Sequence, residues 1–357
     1  MATNIPPHNL RELLTACNAL VTARIDPSKA ISDGQLCSIV PGPDFPTGAK
    51  IMGRDGAKQL YTTGNGGVVM RAITQIEQLT RRGKTQSRTA IIVTELPYQV
   101  NKAALLEKIA GLVNDKKLDG IADLRDESDR DGIRVVLELK RDAVAAVVLN
   151  NLYKKTPLQT SFSGNFLALM GTEDDPSALQ PKRFTLRESL DCFLTFRFET
   201  IRRKSAFQLQ KVEARIHLVE GLLLALEKVD QVIELIRSSP DQNGARDALM
   251  DPEGLLGLSK DQADAVLRLQ LGQLTRLNKG KLEEEKSDLD AQGKNLNTLI
   301  TVDEAVYNVM TEEFSEIDKK FGEERKTRIE TEDGVVDDMD MIRNSRSGKC
   351  QVHAAAL

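Results

Sequence analysis

The chain has 357 residues and a formal net charge of −4, with 29% charged, 40% hydrophobic and only 4% aromatic residues. That length suggests about two domains, and no apolar run approaches the roughly 20 residues that a membrane helix needs. The opening Met1-Ala-Thr-Asn-Ile-Pro-Pro reads as a loop and not as a secretory signal. Cys17, Cys37, Cys192 and Cys350 lie far apart with no CxxC pair, so free thiols in a reducing compartment are expected, and three histidines leave little room for a His-based metal site.

In chain order, a helical pattern covers Leu10–Leu20, and dense turn signals follow at Pro41–Pro46, Gly53–Gly56 and Thr63–Gly67. Strand-like runs are expected at Val68–Ile76, Ala90–Glu95 and Gly132–Leu139. In the last, Ile133, Val135, Leu137 and Leu139 alternate with Arg134, Val136, Glu138 and Lys140, the period of a half-buried strand. Between the second and third runs, Leu105, Leu106, Ile109 and Val113 give Lys102–Asn114 helical spacing. The first 180 residues therefore read as mixed α/β, and the fold class as α+β.

Near Pro181 the texture changes. From Thr185 to Arg237 there is no Pro and only Gly221, which predicts one helix of about 50 residues, roughly 75–80 Å long. Leu209, Val212, Ile216, Val219, Leu223, Leu226 and Ile233 keep a 3.5-residue period, the seam of a coiled coil, with Asp230 where an apolar residue is due. Pro240, Gly244 and Pro252–Gly257 break the chain. A second helical stretch starts at Ser259, and a third spans Leu296–Phe321 with Leu299, Val306, Val309, Met310, Phe314, Ile317 and Phe321 on one stripe. The pattern predicts a long antiparallel coiled-coil arm with a small helical tip. Within the tip, Leu267, Leu269, Leu271, Leu274 and Leu277 cannot all share one helix face, so either the local fold buries both sides or one side meets a second copy; a slender arm offers little internal core, which favours the contact between two copies. Residues 331–342 read as an acidic linker and the stretch to Leu357 as disordered.

Charge is distributed unevenly. Residues 1–160 carry 22 Lys and Arg against 17 Asp and Glu, and residues 182–217 carry nine against four; residues 283–340 carry seven against 19. A basic front and an acidic rear suggest that a polyanion meets the first half, although solvated faces alone also fit. The carboxylates of Asp126, Glu127, Asp129 and Asp131 miss the calcium-loop spacing and read as a self-paired turn. There is no GxxxxGK[ST] phosphate loop and no evident nucleophile–base grouping, while His8 and His217 read as a polar loop residue and a helix-surface residue. From the residues alone the chain is a DNA-facing or protein-facing structural module without a complete active site.

Several segments nevertheless resemble one known family in order: Met1–Leu10, Pro41–Thr47, Tyr61–Gly64, Leu96–Lys102, Leu124–Asp129, Lys140–Ala143, Asn150–Tyr153 and Leu267–Leu277. They are similar to the A subunits of DNA gyrase, a type IIA topoisomerase, over residues 1–330, and Val100–Lys102 and Leu124–Asp129 lean towards gyrase over topoisomerase IV. The resemblance implies the end of a DNA-gate region at 1–25, a tower domain at 26–183, a coiled-coil arm with an exit-gate dimerisation tip at 184–330, and an acidic tail at 331–357. In such enzymes a tyrosine in an Arg-Tyr pair attacks DNA and leaves a reversible phosphotyrosine. Here Tyr61, Tyr98, Tyr153 and Tyr307 follow Leu, Pro, Leu and Val. No catalytic residue and no metal site is therefore expected in this chain, nor the winged-helix domain or the C-terminal propeller.

The resemblance also implies that Ile5, beside Asn4 and flanked by Pro6 and Pro7, inserts between base pairs, as an apolar wedge does. Arg54 and Arg71 are candidates for phosphate contacts that position DNA without reading it. Expected partners are double-stranded DNA, a gyrase B-like subunit that handles ATP and Mg²⁺, and a second copy in an A2B2 assembly, with no membrane. The location implied is cytoplasmic and nucleoid-associated, or a plastid or mitochondrion in a eukaryote. The alternatives are the equivalent chain of topoisomerase IV, or a non-catalytic DNA-binding and dimerisation module.

Overall fold

Asn9 starts the first helix: its side chain accepts the Glu12 amide, capping α1 (Leu10–Ile25), which buries Leu14, Cys17, Leu20 and Val21. Ser32 and Gln35 then form a reciprocal capping box that opens α2 (Asp33–Ile39). These elements belong to a computed structural model described over residues 4–80, 87–171, 178–254, 256–268 and 279–330. The chain divides into two units, one built of residues 1–192 with 314–357 and the other of 193–313. The mixed α/β fold class and the long helix read from the sequence are both present.

In the first unit, β1 (Lys50–Met52), β2 (Asn65–Arg71) and β7 (Gln159–Asn165) pair antiparallel, and β10 (Arg328–Glu330) joins the free edge of β1 in parallel. The helix α3 (Asp55–Thr63) lies directly on β2, and two glycines permit it. A Cβ on Gly56 would sit 2.0 Å from the Gly67 carbonyl oxygen, and one on Gly66 2.7 Å from the Gly56 oxygen. Both turn signals at 53–56 and 63–67 are thus partly consumed by regular structure.

The expected strand Val68–Ile76 is two strands in different sheets. The chain changes sheet at buried Ala72, whose N–H is taken by the Leu158 carbonyl, and β3 (Ile73–Thr80) continues beside β4 (Ser87–Glu95). With β5 (Ile121–Asp126) and β6 (Val135–Leu139) these form a second antiparallel sheet of order β3-β4-β6-β5. The helices α4 (Lys102–Asn114) and α5 (Ala145–Lys155) supply Leu105, Ile109, Val148 and Leu152 to a core with Ile91, Val93, Val135, Leu137 and Leu139. The half-buried reading of 132–139 is corrected here: Val136 and Glu138 on the opposite face are buried too, at 0% and 2% exposed. Glu138 is tolerated there because Arg125 reaches its carboxylate at 2.8 Å and Arg88 at 3.7 Å. A hairpin of β8 (Leu167–Gly171) and β9 (Leu179–Arg183) completes the unit's strands among the described residues.

The long helix α6 (Leu186–Glu227) stops short of the expected Arg237. At Lys228 the backbone leaves helical geometry (φ −120°, ψ 38°), and α7 (Val229–Ser238) begins. In the second unit, α6 pairs antiparallel with α10 (Lys279–Thr301) and the start of α11 (Asp303–Phe321). Arg197 bonds Glu313, Arg202 bonds Asp303, Arg215 bonds Glu285 and Glu227 meets Lys279, partners falling in number as α6 advances. The third helical stretch, expected as one from Leu296, is these two helices divided at Val302. Seam residues Leu209, Val212, Ile216, Leu223 and Leu226 are half-buried and Val219 is sealed. Of the last stripe, Val306, Met310 and Phe314 are buried, but Ile317 and Phe321 emerge into solvent.

The tip is less hollow than its slenderness suggests. The helices α7, α8 (Gln242–Met250) and α9 (Lys260–Arg268) enclose Ala225, Val232, Leu249, Leu258, Ala263 and Val266, and Leu267 packs on this cluster instead of facing away from it. Leu269, Leu271, Leu274 and Leu277 lie outside the described residues. Residues 314–330 return to the first unit, where β10 pairs with β1.

Candidate nucleic-acid interface

The segment Asn4–Asn9 is pinned residue by residue. Asn4 and Asn165 exchange backbone hydrogen bonds (3.4 and 2.9 Å), and the Asn4 amide donates to the Ser163 carbonyl, extending the sheet edge past β7. The Pro7 carbonyl accepts the Asp44 amide at 2.9 Å, Pro6 is buried, and Asn9 donates its Nδ2 to Asp44 and to the Glu323 carbonyl. Between these anchors Ile5 stands 55% exposed. An isoleucine held on both sides yet left in water is not serving the core, and a fixed φ at Pro6 and Pro7 keeps it presented.

His8 sits under the same segment, its ring centroid 5.6 Å from Tyr61 and 6.1 Å from Phe166. Its Nε2 has neither solvent nor a hydrogen-bond partner. Burial holds this imidazole at a pKa of about 4, against a smaller opposing contribution from its hydrogen bond to the Pro6 backbone.

The Pro41–Pro46 turn is a junction. Asp44 accepts the amides of Lys326 and Thr327, while Thr327, fully buried, takes the Phe45 amide at 2.7 Å. Arg325 grips both Glu12 oxygens (2.7 and 2.5 Å) and donates to the Pro43 and Gly42 carbonyls. Nothing in the sequence singles out Arg325 and Thr327, because no local signal links positions about 280 residues apart.

The candidate DNA-binding residues are not gathered in one place. Asn4 and Ile5 adjoin Asn165, which pairs with Asn65 at the start of β2; Arg71 ends that strand opposite Gln159. Six residues of strand separate them, about 20 Å. Arg71 is also occupied: its Nε donates to Gln159 at 2.7 Å and its guanidinium lies 4.5 Å over the Tyr153 ring. Arg54 is exposed at the start of α3 with no side-chain capping bond. A further cation, Arg183, is exposed beside the segment, with its side chain against Gly64, whose carbonyl takes the Phe166 amide. Its only sequence signal is membership of the basic stretch 182–217.

The four tyrosines are each packed against neighbouring side chains. Tyr61 is 3% exposed and burial drives its phenol well above the usual range. Tyr153 is raised by burial as well and bonds Thr74 at 2.9 Å, while Tyr98 stacks on Phe45 and Tyr307 lies 5.1 Å from Phe198. The acidic loop closes on itself: Asp126 accepts from the Ser128 amide and hydroxyl and from Lys102, and Asp129 caps the Asp131 amide. Among the described residues no group of three His, Cys, Asp or Glu side chains is placed to hold a metal ion. Among those residues no helix is long and apolar enough to cross a membrane.

The fold and this segment belong to the A-subunit class of type II topoisomerases. The model of the DNA gyrase/topoisomerase IV A-subunit family matches residues 1–315, and the chain is a member of that family. It is 47% identical over 348 residues, 97% of its length, to the DNA gyrase A subunit of Synechocystis sp., and 42% identical over 345 residues, 96% of its length, to the probable chloroplastic/mitochondrial gyrase A subunit of Oryza sativa. The DNA topoisomerase 4 A subunit of Synechocystis is 43% identical over 330 residues, 92% of the chain. The chain spans 38%, 35% and 34% of those three relatives, little more than a third of each.

Proposed function

We propose that this chain is a DNA-gate scaffold and dimerising arm of a gyrase-type A subunit, working in ATP-dependent double-strand passage and supercoiling. The observation that carries the reading is Ile5, exposed between anchored neighbours in a segment like the one that follows the catalytic region of gyrase A. Inserted at a base step, it unstacks the duplex at a cost of a few kcal/mol, offset by the wider contact a bent duplex makes. Arg54 and Arg183 supply phosphate contacts; Arg71, engaged by Gln159 and Tyr153, serves the sheet first. No tyrosine of this chain follows an arginine, so the chain by itself does not cleave DNA, and ATP and Mg²⁺ are handled by a B-like subunit in an A2B2 assembly. Tower, arm and tail divide near 26–183, 184–330 and 331–357, and the leucines from 269 to 277 join two copies.

The test is duplex binding and bending. The chain is expected to bind duplex DNA with affinity that falls steeply with salt, from counterion release. Ile5→Ala is expected to reduce the bend, read from the mobility of circularly permuted fragments, more than the affinity. An unchanged bend removes the wedge role. The 43% identity to a topoisomerase 4 relative supports a second reading, a topoisomerase 4-type A subunit. Reconstitution with each B-type partner separates the two.

A further inference from the structure

The N-terminal half of α6 carries a face that its own packing leaves unused. Phe193, Phe196, Arg203, Lys204, Phe207 and Lys211 fall within roughly 100° of the helix circumference, over a length of about 27 Å. The other side is where α6 packs, and Leu194, Ile201 and Ser205 are buried there. Phe196 and Phe207 are 59% and 58% exposed, so neither ring serves a core.

The stripe is cationic as well as aromatic. Arg203 and Lys204 are exposed, and neither side chain has a hydrogen bond or ion pair among the described residues. The Lys211 ammonium lies 4.4 Å over the Phe207 ring, which places charge and ring side by side. Thr200 turns its hydroxyl back to the Phe196 carbonyl at 2.7 Å. Between Phe193 and Lys211 the helix has one carboxylate, Glu199, and it lies about 90° from the centre of the stripe. Across the seam, Glu313 is bound by Arg197 and Asp303 by Arg202. The face is therefore complementary to a polyanion.

Its rings decide which polyanion. In a duplex the bases stack on one another, so exposed rings find no base face to meet. A single strand offers unpaired bases, which stack on aromatic side chains while cations follow the backbone. A helical protein partner fits less well: it wants an unbroken apolar seam, and Thr200 and Arg203 interrupt this one between Phe196 and Phe207.

We propose that this face of α6 binds single-stranded nucleic acid, with bases stacked on Phe196 and Phe207 and phosphates met by Arg203, Lys204 and Lys211. It uses no residue of the Ile5 segment and stands whether or not the chain forms a DNA gate.

The probe is a fluorescein-labelled, twelve-nucleotide oligo-dT, titrated with the full chain and read by anisotropy. Saturable binding is expected, and its absence overturns the proposal. Phe196→Ala with Phe207→Ala should weaken binding on the order of a hundredfold, tenfold for each lost stack, at an unchanged salt slope. Arg203→Gln with Lys204→Gln should lower the slope of log affinity against log salt by about 1.4, the value for two phosphates of a single strand. Both variants alter exposed side chains only, so circular dichroism and melting should stay at wild-type values. Phe321→Ala, at an exposed phenylalanine of the first unit, should leave oligo-dT binding intact.

A duplex of the same length, an oligo-rU and a helical Leu/Glu peptide complete the test. The phenylalanine pair should not change duplex affinity. Equal loss on the duplex, or wild-type oligo-dT affinity in that pair, overturns the proposal. So does saturable binding of the peptide in place of oligo-dT, abolished in the same pair, which assigns a helical protein partner. Tighter binding of oligo-dT or of oligo-rU assigns the strand as DNA or RNA, and either keeps the face. Oligo-dT binding without any duplex binding keeps the face and removes the gate reading alone.

Discussion

Acid should loosen this protein through His8. The imidazole is held at a pKa of about 4 where an unfolded chain offers 6.5. Its folded pKa is depressed, so the stabilisation is fully present above pH 6.5 and disappears as pH falls through 4, because the unfolded state takes up the proton first. The difference of about 2.5 units corresponds to roughly 3 kcal/mol in total, of which about 2 kcal/mol is gone by pH 5. The cause is geometric: Nε2 is sealed between the Tyr61 and Phe166 rings with nothing to accept a proton bond. Urea unfolding of wild type and His8→Gln at pH 7.5 and 5.0 isolates this effect, since every carboxylate is common to both. The variant is expected to be less stable at pH 7.5 but to lose about 2 kcal/mol less on acidification. Parallel pH dependence in the two proteins, or an NMR titration of His8 centred near 6.5, would refute the reasoning. The segment pinned over His8 carries Ile5, so any DNA bending should fade over the same pH range.

Gly56→Ala should unfold the first unit's β1–β2–β7 sheet or cost more than about 3 kcal/mol, since its Cβ would meet the Gly67 carbonyl oxygen at 2.0 Å and backbone cannot step aside; thermal melting reads it. Leu60→Ala, at a site 0% exposed beside Gly164, should cost about 2–5 kcal/mol in urea. Glu138→Ala should cost about 1–3 kcal/mol, less than a fully buried pair, because Arg125 and Arg88 are 37% and 44% exposed and recover water. Cys17, buried with its thiol pushed up to about 11, should resist alkylation at pH 8 while exposed Cys192 reacts; labelling followed by peptide mapping decides, and early modification of Cys17 contradicts the burial. Leu271→Asp with Leu274→Asp should yield monomers with helical circular dichroism largely kept, and a variant that sediments as a dimer ends the tip assignment.

Local chemistry is legible wherever neighbours in sequence decide the outcome. The helical spacing of Leu105, Ile109 and Val113 marks Lys102–Asn114, and the structure forms that helix over the same residues. The self-paired turn at Asp126–Asp131 follows from side chains that reach their own backbone, and the α/β front and long helix follow from composition and period. The site is legible only in part. Ile5 and its prolines stand out in the sequence, but their exposure depends on Asn165, Ser163 and Asp44 holding the segment from elsewhere in the chain. Contacts between distant residues decide the rest. Alternation makes 132–139 half-buried, yet a salt-bridged Glu138 lets both faces be covered, and charge burial depends on where Arg125 and Arg88 arrive. Arg71 reads as a free cation and is spent on Gln159 and Tyr153. The parallel pairing of β10 with β1 joins residues about 280 apart, and no periodicity encodes which strand edge a returning chain will find. The seam of α6 carries a heptad through Lys228, but the tip helices close their own core there and the backbone breaks to let them, an outcome set by packing and not by the period.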